Sequence, residues 1–295
     1  MQTSERDVQG TIAQLWIYPV KSCAGISVPR ARLSAHGLQW DRHWMVVDAA
    51  GEFLTQRSHP RMVLIQPQIT DAHLILHFPG LEPLQLPLTA QGGQRKVRVW
   101  KDRVDAWDLG DSAAAAAQWL TAALGSDCAL VRFDEQHPRQ GSERWVGSDA
   151  APVHFADGYP LLVLSQSAVD ELNQRLVAAG AEPVDARRFR PNVLIEGIAA
   201  HDEDRTELLE LLEMPGISLR PCKPCTRCPI PDIDPETAQS QPSVTQAISA
   251  YRQDSRVEGA ITFGMNALVL GLPEAQAQSV ELVLGQTLAG DLAFD

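Results

Sequence analysis

Cys222, Cys225 and Cys228 fall at two-residue spacings within Arg220-Pro221-Cys222-Lys223-Pro224-Cys225-Thr226-Arg227-Cys228-Pro229. Thiolates are soft metal ligands, and neighbouring cations lower a thiol's pKa, so the segment suits metal binding or redox work. An iron–sulfur run of the ferredoxin kind needs a fourth cysteine before the proline, whereas Pro229 directly follows the third cysteine here. A structural zinc site needs a second Cys or His knuckle, and none stands nearby in the sequence. The reading that remains is one thiolate completing a metal held mainly by something else, such as a cofactor, with the other sulfurs lining or packing.

A second set of residues suits an anion. Arg42, Arg190 and Arg227 each adjoin a turn or strand end, beside Asp41, Pro191-Asn192 and the cysteines respectively, and Lys21-Ser22 sits in the first loop. A guanidinium fork matches a phosphate, while Ser and Asn side chains match the polar edge of a heterocycle. Each arginine taken singly is also an ordinary surface residue. The eight histidines are scattered without helix-spaced pairs, which argues against a histidine-held metal. A nucleophile elbow, a glycine-rich phosphate loop and a dinucleotide fingerprint are all absent. Pro231 to Thr237 lacks the glycine and distal glutamate of a calcium loop and reads as a rigid turn. Cys23 and Cys128 stand alone and read as small buried hydrophobes.

The elements that position these groups are mostly strands. Thr11 to Tyr18 alternates and ends at Pro19. Further short strands are expected at 27–33, 44–47, 53–56, 62–68, 74–78, 84–86, 96–99, 104–109 and 129–133, separated by turns. Ala113 to Leu124 is the first clear helix, with Ser112 as cap and Gly125 as stop. Beyond the polar loop 134–149 come a strand at 161–164, a helix from Ser167 with a capping box to Asp170, and a strand at 193–195. A short acidic helix at 206–212, strands at 217–219, 261–263, 267–270 and 280–284, and a helix at 243–252 complete the reading. The expected class is α+β and β-rich. Its two domains, 8–133 and 134–295, would hold the site in the cleft between them.

Bulk properties bound the function. A chain of 295 residues is long for one core. A net charge of −12 argues against a general nucleic-acid or anionic-membrane binder. No apolar run is long enough to span a membrane, the start is polar without a signal core, and five cysteines follow no disulfide framework. A cytoplasmic protein is expected.

Tyr18-Pro19-Val20-Lys21-Ser22-Cys23, Asp41-Arg42, Leu161 to Ser165, Phe189-Arg190-Pro191-Asn192, Cys225-Thr226-Arg227-Cys228, Asp234-Pro235-Glu236-Thr237 and Phe263-Gly264, in this order, resemble one family. It consists of proteins with a molybdenum cofactor sulfurase C-terminal (MOSC) domain preceded by an N-terminal β-barrel domain. The amidoxime reducing components and bacterial reductases of N-hydroxylated bases are similar. The resemblance implies a β-barrel fold and a molybdopterin cofactor whose molybdenum is bonded by Cys228. It implies that Lys21, Ser22, Arg42, Arg190, Asn192, Thr226 and Arg227 contact the pterin or its phosphate, with Cys225 and Cys222 as lesser parties. The implied activity is reduction of amidoximes, hydroxylamines and N-hydroxylated bases, with electrons from a separate flavoprotein or ferredoxin reductase. The alternative is a carrier of molybdenum cofactor or sulfur without turnover. Gly158-Tyr159 and Ala238 depart from the family pattern, where a hydroxyl residue and a glycine are common.

Overall fold

A computed structural model of the chain describes residues 6–137, 139–273 and 280–293. The polar lead at 1–5, and residues 294–295 at the end of the second expected domain, lie outside the described residues.

The centre of the molecule is a closed barrel of seven strands. Around it run Leu161–Ser165, Val193–Glu196, Val8–Ile17, Thr287–Gly290, Leu209–Leu211, Ser218–Thr226 and Ala260–Leu270, and the last pairs back onto the first. Closure removes the exposed edges of the sheet. Leu161–Ser165 is buried along its whole length. It pairs in parallel with Val193–Glu196, the helix Gln166–Ala178 making the crossover. Val8, Ile12, Leu15, Val163, Val193, Leu219, Ala267 and Leu288 fill the barrel core. The first strand of the chain therefore sits in the barrel with strands from the second half.

The intervening N-terminal residues form a second β unit. Its four-stranded sheet has the order Trp44–Val47, Ala129–Phe133, Asp102–Trp107, Gln94–Val99. A three-stranded meander, Gln66–Ile69, His73–Phe78 and Leu81–Pro87, lies beside it. The helix Ala113–Leu124 buries Ala116, Leu120 and Ala123 against Leu74, Leu76 and Leu130. Gly125 ends it in the left-handed conformation at φ 75°. The β-rich α+β class with peripheral helices holds. Among the described residues, no helix is long and apolar enough to cross a membrane.

Several local expectations give way. Residues 206–212 are not a helix: Leu209–Leu211 is a strand that buries both leucines and turns Glu210 outward, a period of two that the acidic composition obscured. Ser167 does not cap its helix but donates to the Ile198 carbonyl at 2.7 Å, and Ser112 makes no side-chain cap. Phe53 forms only an isolated bridge with Val47, and Pro60–Leu64 is a 3-10 turn that delays the next strand to Gln66. The two strands expected at 261–270 are one, Ala260–Leu270. It bends at Gly264, where φ is 76° and a Cβ would sit 2.8 Å from the Val163 carbonyl oxygen. Thr287–Gly290 was not foreseen.

The cysteine segment is a strand as far as Thr226. Its pairing with Ala260–Leu270 breaks register between Pro221 and Lys223 and again between Pro224 and Thr226. Proline has no N–H to give the ladder, so an irregularity beside each proline is expected. The residues left out of the two steps are Cys222 and Cys225. Bulged residues re-aim their side chains.

Candidate functional site

One pocket, between the barrel and the N-terminal β unit, is lined by Lys21, Ser22, Arg42, Arg190, Asn192, Thr226, Arg227 and Cys228. Every residue that the resemblance implies in cofactor binding reaches it. The backbone explains part of the convergence. Among the described residues eight non-glycine residues have positive φ, and four of them line the pocket: Ser22 at 67°, Arg42 at 49°, Trp100 at 56° and Arg190 at 58°. Left-handed backbone is costly for such residues and gathers where the surrounding fold enforces a functional geometry.

Arg42 and Arg190 form the basic end. Arg42 Nη1 donates to both oxygens of Asp41, at 2.8 and 2.6 Å, and to Asn192 Oδ1 at 3.2 Å. Arg42 Nη2 reaches the Arg190 carbonyl at 3.3 Å. Both guanidinium groups lie over the Tyr18 ring, 4.4 and 4.2 Å from its centroid. Arg190 Nη1 donates to the Cys23 carbonyl at 2.6 Å, while Nη2 is buried without a partner. Among the described residues no carboxylate forms an ion pair with Arg190. Burial, and then the neighbouring Arg42, push its pKa down to about 10, so it remains a cation at neutral pH.

The other predicted residues divide by how much of their bonding is already used. Asn192 is 1% exposed. Its Oδ1 accepts from Leu162 N at 3.1 Å and its Nδ2 donates to the Trp16 carbonyl at 3.1 Å, so it ties barrel strands together. Arg227 donates from Nε to the Phe263 carbonyl at 2.9 Å, from Nη1 to the Phe189 carbonyl at 3.0 Å, and from Nη2 to Phe263 again. It therefore clamps the loop bearing Cys228 to the long strand. Lys21 is buried; its ammonium donates to the Phe155 carbonyl at 2.8 Å and is ion-paired with Asp157. Burial lowers its pKa while Asp157 opposes the shift.

The three sulfurs separate. Cys222 and Cys225 are the residues left out of register in the strand, and Cys228 lies beyond its end, so the three do not share one regular face. Cys222 packs beside Val146, Ala151, Tyr159 and Leu268, and its thiol donates to the Asn266 carbonyl at 3.3 Å. Burial pushes that thiol up to about 12. Cys225 and Cys228 line the pocket, and burial also raises the Cys225 thiol. The strand ends before Cys228, which stands half-buried at the pocket wall beside exposed Thr226. Cys23 and Cys128 are buried free cysteines, as expected, and both pack in the core of the N-terminal unit.

Some lining residues were not found from sequence. Arg188 donates to the Asp232 carbonyl at 3.1 Å and to Asp234 Oδ2 at 2.9 Å. That bond docks the Asp234 turn, whose Oδ1 also receives Glu236 N and Thr237 N. Phe53, Arg57, Trp100 and Asp157 also line the pocket, and the exposure of Arg57, Trp100 and Asp157 puts them at its mouth. These residues come from separate segments, and no spacing signal joins them. Outside the pocket, donor atoms of His43, Glu135 and His154 lie within 4.8 Å of one another. They too come from separate segments, which is why a search for paired histidines passed over them.

The donor set fits an anionic, metal-bearing cofactor. A buried arginine with an orphan Nη2 and no carboxylate calls for an anion. A half-buried thiol in the same pocket is available to a metal.

Residues 9–127 match the MOSC N-terminal beta barrel domain and residues 150–280 the MOSC domain. The chain is 36% identical over 254 residues to mitochondrial amidoxime-reducing component 1 of Mus musculus, covering 82% of this chain and 72% of that protein. It is 34% identical to the Homo sapiens protein of the same name, over 83% of this chain and 72% of that one. It is also 29% identical to the molybdenum cofactor sulfurase of Homo sapiens, over 86% of this chain but 29% of that protein.

Proposed function

The chain belongs to the family that joins a MOSC N-terminal beta barrel domain to a MOSC domain, and from that premise we propose a molybdenum-cofactor-dependent reductase of N-hydroxylated compounds. The observation that carries this reading is the sharing of one pocket by Cys228 and the orphan guanidinium of Arg190.

The cofactor would supply the two-electron chemistry, and the protein binds and orients. Arg190 would hold the cofactor's phosphate through its free Nη2, with Arg42, paired to Asp41, shaping the basic end beside it and Ser22 and Thr226 at the cofactor's polar edges. Cys228 would be the thiolate ligand to molybdenum. Arg227 and Asn192 act as positioning residues, because their polar atoms are already bonded to the protein. Lys21 fixes the mouth through Phe155 and Asp157. The substrate enters between Trp100, Phe53 and Asp157 with its N–OH group toward Cys228. Electrons come from a separate redox partner, and a cytoplasmic setting belongs to the same proposal.

The test is reduction of benzamidoxime by purified, cofactor-loaded protein with a chemical electron donor. Turnover to benzamidine is expected. Absence of turnover with molybdenum bound, together with transfer of cofactor to an apo-enzyme, would establish a carrier instead.

A further inference from the structure

The pocket segregates charge. Its described lining includes Lys21, Arg42, Arg57, Arg188, Arg190 and Arg227, and Asp157 is the one carboxylate among them. An acid in a basic pocket that binds an anion works against that anion unless it serves something else. Asp157 stands at the mouth, its side chain 74% exposed, while the Lys21 side chain that grips it is 7% exposed.

The grip is one-sided. Lys21 Nζ donates to Asp157 Oδ1, and Trp100 Nε1 donates to the same oxygen at 3.1 Å. Among the described residues none donates to Oδ2. Two donors on one oxygen fix the plane of the carboxylate and leave the other oxygen free. An ammonium at hydrogen-bond distance also keeps the group ionised.

Trp100 is itself held in place. Its backbone is left-handed at φ 56°. The Phe53 ring meets it edge-on at 5.0 Å, and the Arg57 guanidinium covers it at 4.5 Å. It nevertheless remains 41% exposed, one of four large hydrophobics so exposed among the described residues. A strained, propped indole that orients an acid at a pocket mouth is a recognition feature rather than a packing one.

We propose that Asp157 Oδ2 is the substrate-recognising acceptor of this pocket, selecting molecules that carry an N–H donor beside the reacting nitrogen: amidines, guanidines and amino-substituted heterocycles. A fixed carboxylate forms charge-assisted bonds with such groups. A carbonyl oxygen at the same place meets the carboxylate oxygen with no proton to share, so the donor-bearing molecule is preferred. The inference deepens the reductase reading and takes from it only the position of the reacting nitrogen.

The experiment pairs isosteres on the cofactor-loaded protein. Calorimetry compares benzamidine with benzamide, and kinetics compare benzamidoxime with benzhydroxamic acid, for wild type, Asp157→Asn and Trp100→Phe. Wild type is expected to bind benzamidine at least about tenfold more tightly than benzamide, the range of one charge-assisted hydrogen bond. Asp157→Asn, which puts an amide donor at Oδ2, should lose about tenfold for benzamidine, leave benzamide within about threefold, and shift kcat/KM toward the hydroxamic acid. Trp100→Phe keeps a ring but drops the Nε1 donor, and should show a smaller loss confined to benzamidine. Equal weakening of both ligands, or unchanged benzamidine binding in Asp157→Asn, would overturn the assignment. The binding arm needs no turnover: if wild type reduces neither substrate, the reductase reading fails while the recognition claim is still decided by calorimetry.

Discussion

Arg42 Nη2 donates to the backbone carbonyl of Arg190 at 3.3 Å, joining two cations 148 positions apart in the chain. The contact links the loop before Trp44–Val47 to the loop before Val193–Glu196. It also separates the two arginines by role. Arg42 is already neutralised by Asp41, whereas Arg190 carries a buried charge without a carboxylate partner.

Removing Arg190 should therefore affect the cofactor more than the fold. Arg190→Ala gives up one protein hydrogen bond, to the Cys23 carbonyl, and the stacking on Tyr18, and in exchange removes a buried, uncompensated cation. Pterin retained after gel filtration is expected to fall by about tenfold or more, with the unfolding midpoint nearly unchanged. Full retention of pterin in this variant would remove Arg190 from the anion site.

Asp41 is the opposite case. It is 3% exposed, and its carboxylate receives Tyr18 N at 2.8 Å as well as the Arg42 fork. Asp41→Asn leaves the Arg42 charge buried without its partner, a loss on the order of 3 kcal/mol in urea-induced unfolding. A change below about 1 kcal/mol would show that the pair is screened by water.

Glu203 supplies a pH dependence away from the site. It is fully buried; Oε1 accepts from Ser165 N at 3.1 Å while Oε2 has no partner. Burial first, and then Asp204, raise its pKa from 4.5 to about 7. Because the folded value lies above the unfolded one, the native state keeps a proton that the unfolded chain loses between those values. Stability from this group therefore falls as pH rises from about 4.5 to about 7, by about 3 kcal/mol in total, and is flat above. Glu203→Gln should flatten that slope and stabilise the protein at pH 8. An unchanged slope in denaturant titrations at pH 5 and pH 8 would contradict the assignment.

What the sequence disclosed follows from how local each signal is. The helix Ala113–Leu124 was legible because alanines, a leucine face and Gly125 all sit within one segment. Lys21, Arg42 and Arg190 were legible as residues beside turns, and their family context named them together. Ala238 is also intelligible in retrospect: it adopts φ 60°, which is why a glycine suits that position. The mouth was not legible. Trp100 follows an ordinary strand, Asp157 lies in a loop, and they meet only through long-range bonds, Trp100 and Lys21 reaching Asp157 across 57 and 136 positions. A barrel was implied by the family resemblance, but its closing pairs were not legible, since its first strand and Thr287–Gly290 meet from opposite ends of the chain. The split of the three cysteines was not legible either, because it depends on the register breaks at Cys222 and Cys225 and on the strand ending before Cys228.

The central claim is that Cys228, rather than the cysteine run as a whole, bonds a pterin-borne molybdenum in this pocket. Molybdenum and pterin content measured together on wild type, Cys228→Ser and Cys222→Ser test it most directly. The account predicts near-stoichiometric molybdenum in wild type and in Cys222→Ser, and loss of most of the metal in Cys228→Ser. Equal molybdenum in wild type and Cys228→Ser, or zinc or iron in place of molybdenum with no pterin, would contradict it.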